Sequence, residues 1–576
     1  MNKKTLTKVT YFVLAALTII AFFVSSRVTV SETTPLWQAL GAWTLIPPLV
    51  AIVLAFLTKN VIISLAAGVF SGTMMVSLVG GTNVFKSITG AFTLMIKSMV
   101  NSMADPWNAG ILLQVMAIGG LIALVSKMGG TFAIAEKLSQ KAKTARSSQF
   151  ITWILGLFVF FDDYANSLIV GPIMRPVTDK QRISREKLAF IVDATAAPIA
   201  GIAIVSTWIG YELSLIQEEL TALSITKSAY AIFLETIPFR FYNIFILAFI
   251  VFSIVLLKEF GPMYKAEKRA RTTGKVIADG STPLAIGENM DIKPIAGMKT
   301  NIWNAIIPIF VLMAASLLGF YFNGYNALDE ASLELVNSSP FSLTAIRICY
   351  SSSDASVVLF MAAMLAGIVA IVMGVFQKLF TIKDGVDTWI EGWKSMIITV
   401  VILLLAWSIA DVIKNQLDAD MYLADALKNT IPAFIIPTII FLLGSIISFA
   451  TGTSYGTMGI LMPLAIPLAN SASGGDMNLI TLSIGAVLTG AIFGDHCSPI
   501  SDTTILSSMG SSCDHIDHVK TQLLYAVVVA IISIVFGFLP AALGVSSLIT
   551  LPAGILATGA TLFIFGKSVG NKVSSS

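Results

Sequence analysis

Residues Ala491 to Ser508 read AIFGDHCSPISDTTILSS, which sets Asp495, His496 and Asp502, with Pro499 between them, inside an otherwise apolar run. Charge and a helix breaker are costly where water is absent, so at membrane depth they mark a functional site. The rest of the chain then reads as the scaffold that makes these groups tolerable.

The composition agrees with a membrane setting. Of 576 residues, 56% are hydrophobic and 12% charged, and the mean hydropathy is +0.85. Apolar runs long enough to cross ~30 Å of hydrocarbon recur from Tyr11 to Phe565. The formal net charge of +3 says little about partners, and no nucleic-acid motif is present. Cys349, Cys497 and Cys513 are far apart with no paired spacing, which argues against a disulfide framework or a zinc site. The chain lacks a Gly-rich phosphate loop ending in Gly-Lys, so ATP-driven pumping is not expected. Neither an enzymatic activity nor a cofactor is expected.

Lys3, Lys4 and Lys8 followed by YFVLAALTIIAFFVSS read as an uncleaved first span, with a secretory signal cleaved after Val24-Ser25-Ser26 as the alternative. Spans follow at 43–57, 62–79 and 109–125. The segment 150–174 has basic residues on both sides, Arg146 before it and Arg175 to Lys187 after it. The positive-inside rule therefore makes it a re-entrant hairpin with Asp162-Asp163 at its tip, and the basic run a topological anchor. Residues 188–211 cross outward to an acidic stretch holding Glu212, Glu218 and Glu219, and 241–257 return. Residues 258–299 form a polar, flexible cytoplasmic connection. In the second half, spans at 303–322, 357–376 and 396–413 lead to a hairpin at 434–468 that enters from outside, with Gly452-Thr453-Ser454-Tyr455-Gly456 at its tip. Spans at 479–509, 523–539 and 553–565 complete the chain. Asp411 reads as a solvated helix end, and Asp514 to His518 as a solvated loop, with a metal or pH-sensing cluster as the alternative.

The halves repeat. Setting FFDDYANSLIVGPIMRPVTD, from Phe160, over TGTSYGTMGILMPLAIPLA, from Thr451, pairs Asp162-Asp163-Tyr164 with Thr453-Ser454-Tyr455, Pro172 with Pro463 and Pro176 with Pro467. Downstream, the segment from Asp193 to Pro198 falls over that from Asp495 to Pro499, and Ser206-Thr207 over Ser507-Ser508. The halves begin on opposite sides, so the expected fold class is an all-α polytopic membrane protein of about twelve spans plus two re-entrant hairpins, in two inverted-topology repeats with broken helices. The expected organisation is an N-terminal span and outer loop (1–42), a first repeat (43–257, hairpin 150–174, broken span 188–211) and a cytoplasmic linker (258–300). A second repeat (301–541, hairpin 434–468, broken span 479–509) and a C-terminal span and tail (542–576) follow.

In secondary transporters such repeats bring interrupted helices together near the midplane. The site is therefore expected from two hairpin tips and two broken spans. Asp162 and Asp163 are adjacent at a tip, where a turn can present both, and two close carboxylates in low dielectric cannot easily both ionise. Capping of the returning helix is the structural alternative. Asn166 could supply a neutral oxygen. Asp193 and Thr195 precede Pro198, which frees carbonyls of the turn before it, and carboxylate, hydroxyl and carbonyl oxygens suit a hard cation. Thr453 and Ser454 offer hydroxyls at the second tip. Asp495, Ser498, Asp502 and Thr503 supply oxygens around Pro499, while His496 is a candidate proton relay. Sodium is placed on Asp162, Asp163, Asp495 and Asp502.

The segments FFDDYANSLIVGPIMRPVTD with ISREKLAFIVDATAAPIAG, and GTSYGTMGILMPLAIP with GAIFGDHCSPISDTTILSS, resemble the NhaC family of sodium/proton antiporters, and the likeness extends over residues 43–539. The resemblance implies a multi-pass bacterial plasma (inner) membrane transporter with both termini cytoplasmic. It would exchange cytoplasmic Na+ for external H+ by alternating access, in pH homeostasis. By position, Asp162, Asp163, Asp193, Asp495 and Asp502 would be the ion-site carboxylates. Tyr455 stands where relatives often carry Trp. Related transporters also carry small carboxylates or amino acids, so coupled transport of such a solute is the alternative. The implied partners are the lipid bilayer, Na+ and H+, with an organic anion or amino acid and a homodimer left open.

Overall fold

The computed structural model describes residues 3–28, 35–58, 60–81, 83–283, 301–419, 421–422, 432–499 and 501–569. The chain is nearly all helical. Among the described residues, ten helices are long and apolar enough to cross a membrane, and Ala229–Phe239 with Phe241–Leu256, bent by 44°, make an eleventh. The expected figure was about twelve. Their outward faces are oily, as hydrocarbon requires: Phe12, Phe310 and Phe376 are all more than two-thirds exposed.

Two helices lie outside the expected spans. Val84–Ala104 carries Lys86 and Lys97, yet it exposes Phe85, Ile88, Phe92, Ile96 and Val100 along one face and buries Ser87, Ala91 and Ser98 on another. This is the pattern of a water-soluble helix turned inside out. Ile382–Ser395 is amphipathic, with Thr381 and Asp384 forming a capping box at its start.

The two segments expected to be hairpins each hold a pair of successive helices. Ala145–Phe158 and Asp163–Lys180 are the arms of the first, Ile436–Thr451 and Ser454–Ser473 those of the second. The returning arms begin at residues that the repeat alignment pairs, Asp163 and Ser454, and each holds two prolines, Pro172 and Pro176 or Pro463 and Pro467. Gly452 makes the second tip possible with φ of 68°, a left-handed conformation that costs glycine little. A helix also ends inside each of the two segments expected to be broken spans. Arg185–Ala194 stops one residue after Asp193, and Met477–Cys497 stops two residues after Asp495.

The chain forms two compact units. One comprises Met1–Ala109, Ser214–Thr226 and Ile398–Gly494, the other Gly110–Leu213, Lys227–Ile397 and Asp495–Ser576. Each draws on both sequence halves. In the second unit, the returning arm of the first hairpin packs closely on helix Asp502–Ser511. A Cβ on Gly171 would lie 2.7 Å from the Gly510 carbonyl carbon, and Ser167 and Ser507 share a 2.9 Å hydrogen bond nearby. Small residues spaced about one turn apart allow such backbone approach where no hydrophobic force drives helices together.

Several surface assignments need correction. The acidic stretch read as exposed is helix Ile209–Ala222, in which Glu212 pairs with Arg240 and Glu219 with Lys414, all four buried. Carboxylates near a predicted span end look alike in sequence whether they meet water or a counter-charge. Asp411, half-buried at the end of helix Ile397–Asp411, accepts hydrogen bonds from Ser98, Asn415 and Gln416. The basic run is more than an anchor: Lys187 is buried against Glu259, and Arg185 binds Asp179 and the Ser511 and Ser512 carbonyls. The linker, expected to be flexible, contains regular structure among its described residues. Lys258–Glu259 pair antiparallel with Lys567–Ser568, and Gly261–Thr273 is a helix. Residues 284–300 lie outside the described residues.

Candidate functional site

The site is built outward from Asp193. Ser184 caps helix Arg185–Ala194, which ends where Thr195 and Ala196 leave helical geometry. A short turn Ala197–Ala200 follows, containing Pro198, and residues 201–208 are non-helical up to Ile209. The break leaves the Asp193 carboxylate 1% exposed at a helix end.

Four side chains converge on that carboxylate. Gln522 Nε2 donates to Oδ2 at 2.7 Å, and Ser507 Oγ donates to Oδ1 at 3.4 Å. The Nε2 atoms of His496 and His518 both lie 3.9 Å from Oδ2. Gln522 also donates to the His496 carbonyl, so one amide ties both broken spans together. Each imidazole is held from its other nitrogen: His496 Nδ1 shares a 2.6 Å hydrogen bond with Tyr242 Oη, and His518 Nδ1 one of 2.8 Å with Ser508 Oγ. Ser508 meets His515 Nδ1 at 3.1 Å, and His515 Nε2 meets the Pro499 carbonyl at 2.7 Å. The chain has three histidines, and all three stand on this one network.

The first hairpin is fastened to the same break. Asn166 Nδ2 donates at 2.8 Å to the Gly156 carbonyl on the opposite arm and at 2.8 Å to the Thr195 carbonyl. A Cβ on Gly156 would lie 2.0 Å from Thr195 Oγ1, so only glycine permits this seat. At the tip, the Phe161 carbonyl accepts from the Thr207 backbone N–H at 3.0 Å. Asp162 and Asp163 are 5% and 6% exposed.

Most of the anticipated residues are thereby gathered in one unit: Asp162, Asp163, Asn166, Asp193, Thr195, Asp495, His496, Ser498 and Thr503, all buried. Some are committed locally. The Thr195 hydroxyl donates to the Ile191 and Val192 carbonyls, and Thr503 Oγ1 pairs with Ser501 Oγ at 2.9 Å. The Ser498 N–H donates to the Asp495 carbonyl across the break. Asp502 opens the helix that Ser501 caps, and its side chain lies outside the described residues. Thr453 and Ser454 belong to the other unit, where the Thr453 carbonyl accepts from Ser448 and Thr457 and Ser454 donates to the Ala491 carbonyl.

His518, Gln522, Tyr242 and Ser507 were not anticipated as site residues. The segment 514–518, read as a solvated loop, instead buries His518 completely and starts a helix capped by Asp514. A signal was available: His518 and Gln522 are four apart on an otherwise apolar helix, hence on one face. Asp514 lies outside the membrane-spanning helices. Burial works to raise its carboxyl, but hydrogen bonds from the backbone of Thr282 and Asp517, the Thr282 hydroxyl and the Ile516 backbone hold it below the usual range.

The arrangement can hold a buried carboxylate beside neutral hydroxyl, amide and imidazole groups, the inventory suited to a hard cation or a proton. Comparison with known proteins bears on this. A family model described as the Na+/H+ antiporter family matches residues 3–203 and 199–539. An uncharacterized protein of Haemophilus influenzae is 33% identical over 530 residues, covering 91% of this chain and 94% of that one. A malate-2H(+)/Na(+)-lactate antiporter of Bacillus subtilis is 40% identical over 111 residues, 18% of this chain and 22% of that protein. An arginine/ornithine antiporter of Halobacterium salinarum is 37% identical over 103 residues, 18% of this chain and 20% of that protein.

Proposed function

Because the chain belongs to the Na+/H+ antiporter family, a family of secondary transporters and not of enzymes, we propose that it exchanges cytoplasmic Na+ for external H+ by alternating access. The observation that carries this reading is the buried Asp193 carboxylate at a helix break, with two imidazoles and an amide around it and Asp162, Asp163 and Asp495 buried in the same unit. A carboxylate kept from water is stabilised either by a cation or by a proton, and one excludes the other. Competition for the same oxygens couples the two fluxes without further machinery.

In this reading Asp162, Asp163, Asp193, Asp495, Asp502 and nearby hydroxyls take the ion, Asn166 and Gln522 hold the pieces in register, and His496 relays protons. The two hairpins are re-entrant, the halves are inverted repeats, and both termini face the cytoplasm of a bacterial inner membrane. The test is purified protein in proteoliposomes containing a pH-sensitive dye. A sodium pulse should move protons in the opposite direction to sodium, and a dye signal indifferent to sodium would sink the proposal.

The second reading is Na+- or H+-coupled transport of a small carboxylate or amino acid. It is favoured by the names of two relatives, a malate/lactate and an arginine/ornithine antiporter. Challenging the same proteoliposomes with a panel of organic acids and amino acids separates the two.

A further inference from the structure

Away from Asp193, the second unit buries another charged pair. Glu212 and Arg240 are both 0% exposed, with Arg240 Nη2 2.8 Å from Glu212 Oε2. Arg240 stands at the bend between Ala229–Phe239 and Phe241–Leu256. Its Nε donates to Thr236 Oγ1 at 3.1 Å, and its guanidinium lies 5.5 Å from the centre of the Phe233 ring. Glu212 stands in the first turn after the non-helical stretch 201–208, its N–H donating to the Trp208 carbonyl.

The pair is only half satisfied. Arg240 Nη1 and Glu212 Oε1, the sister atoms of the two in contact, are buried without a hydrogen-bond partner. Two neighbours of the same break share this condition. Asn243 Nδ2 donates to the Pro198 carbonyl at 2.9 Å while its Oδ1 is unpaired. Gln114, whose Nε2 and Oε1 are both unpaired, lies against Gly210, where a Cβ would come within 2.1 Å of Oε1. Buried polar atoms are normally paired, so four such side chains, Glu212 on the interrupted span, Gln114 and Asn243 on helices packed against it and Arg240 at the bend, require an explanation.

We propose that Glu212 and Arg240 receive the two charged ends of an α-amino acid, its carboxylate on Arg240 Nη1 and its ammonium on Glu212 Oε1. This rests on the second reading, transport of an organic solute, and names its substrate class. The protein pair is already neutral, so a zwitterion completes both hydrogen-bond sets and adds no net charge to the interior. A plain carboxylate would answer Arg240 while facing Glu212 with like charge, and a plain amine would do the reverse. Sites that leave a buried partner unpaired reject such analogues strongly.

The test uses the full chain. Thermal stability in detergent and uptake into proteoliposomes are measured with each proteinogenic amino acid, and with propionate and ethylamine as the two halves of alanine. At least one amino acid should stabilise the protein and be taken up, and neither half-molecule should. Arg240→Lys retains a cation for Glu212 but lacks Nη1 and the Nε bond to Thr236, so stability should fall, and in the protein that remains folded by circular dichroism amino-acid affinity should fall at least tenfold. Equal binding of propionate, normal affinity in Arg240→Lys, or no response to any amino acid overturns the assignment. If amino-acid uptake survives unchanged in Arg240→Lys, the organic-solute reading stands and this site alone falls. If no amino acid acts but sodium still moves protons, Na+/H+ exchange alone remains.

Discussion

Gln522 Nε2 donates a 2.7 Å hydrogen bond to Asp193 Oδ2 across 329 positions of sequence, and the same amide reaches the His496 carbonyl of the other broken span. The geometry of the proposed ion site therefore depends on a side chain that is not itself a carboxylate.

Gln522→Leu keeps the bulk and removes both donations. Loss of a hydrogen bond to a buried charge costs about 1–3 kcal/mol, so the variant should fold with lowered stability. Its apparent sodium affinity in the dye assay should fall roughly tenfold. Unchanged sodium dependence would show that Asp193 is held by other means.

Asp193→Asn, Asp162→Asn and Asp163→Asn each keep shape and remove a charge. Sodium-driven proton movement in everted vesicles should be abolished in each, while the purified variants remain folded by circular dichroism. Normal exchange in any one of them removes that residue from the ion set.

Asn166→Leu should loosen the first hairpin from the first broken span. It removes the amide that donates to the Gly156 and Thr195 carbonyls, for a loss of about 2–4 kcal/mol. Thermal denaturation reads the loss, and hydrogen exchange should localise the loosening to residues near 156 and 195.

Gly171→Val forces a side chain into the contact with Gly510, where even a Cβ would come within 2.7 Å of backbone. Overpacking of this kind costs roughly 1–3 kcal/mol or more, because backbone cannot rotate aside. The melting temperature should fall, and substitution of the equally tight Gly510 should be no better tolerated.

Asp514 makes a pH-dependent clasp between helix His515–Ile532 and Thr282. Its folded carboxyl sits below the ordinary value. A depressed acid contributes stability above the unfolded value, near pH 4, and loses it as pH falls through the folded one. The clasp should thus be unaffected from pH 6 to 8 and open only in stronger acid. Hydrogen exchange at 282 and 516 in wild type and Asp514→Asn checks this, the variant being loose at every pH.

Local signals in the chain already determined the membrane setting, the helix starts at Asp163 and Ser454 and the helix ends near Asp193 and Asp495. Asp495 and Pro499 in an apolar run, or Gly452 before Thr453, constrain their own few residues, because a helix breaker or an isolated charge acts on the backbone within a turn. The repeat carried those signals from one half to the other. The tertiary structure alone decided which polar groups meet. Nothing near Glu212 distinguishes a carboxylate bound for water from one bound for Arg240, and nothing near His518 announces Asp193. Such partners lie tens to hundreds of residues apart, and their interaction exists only once packing has removed the water that would otherwise solvate each of them.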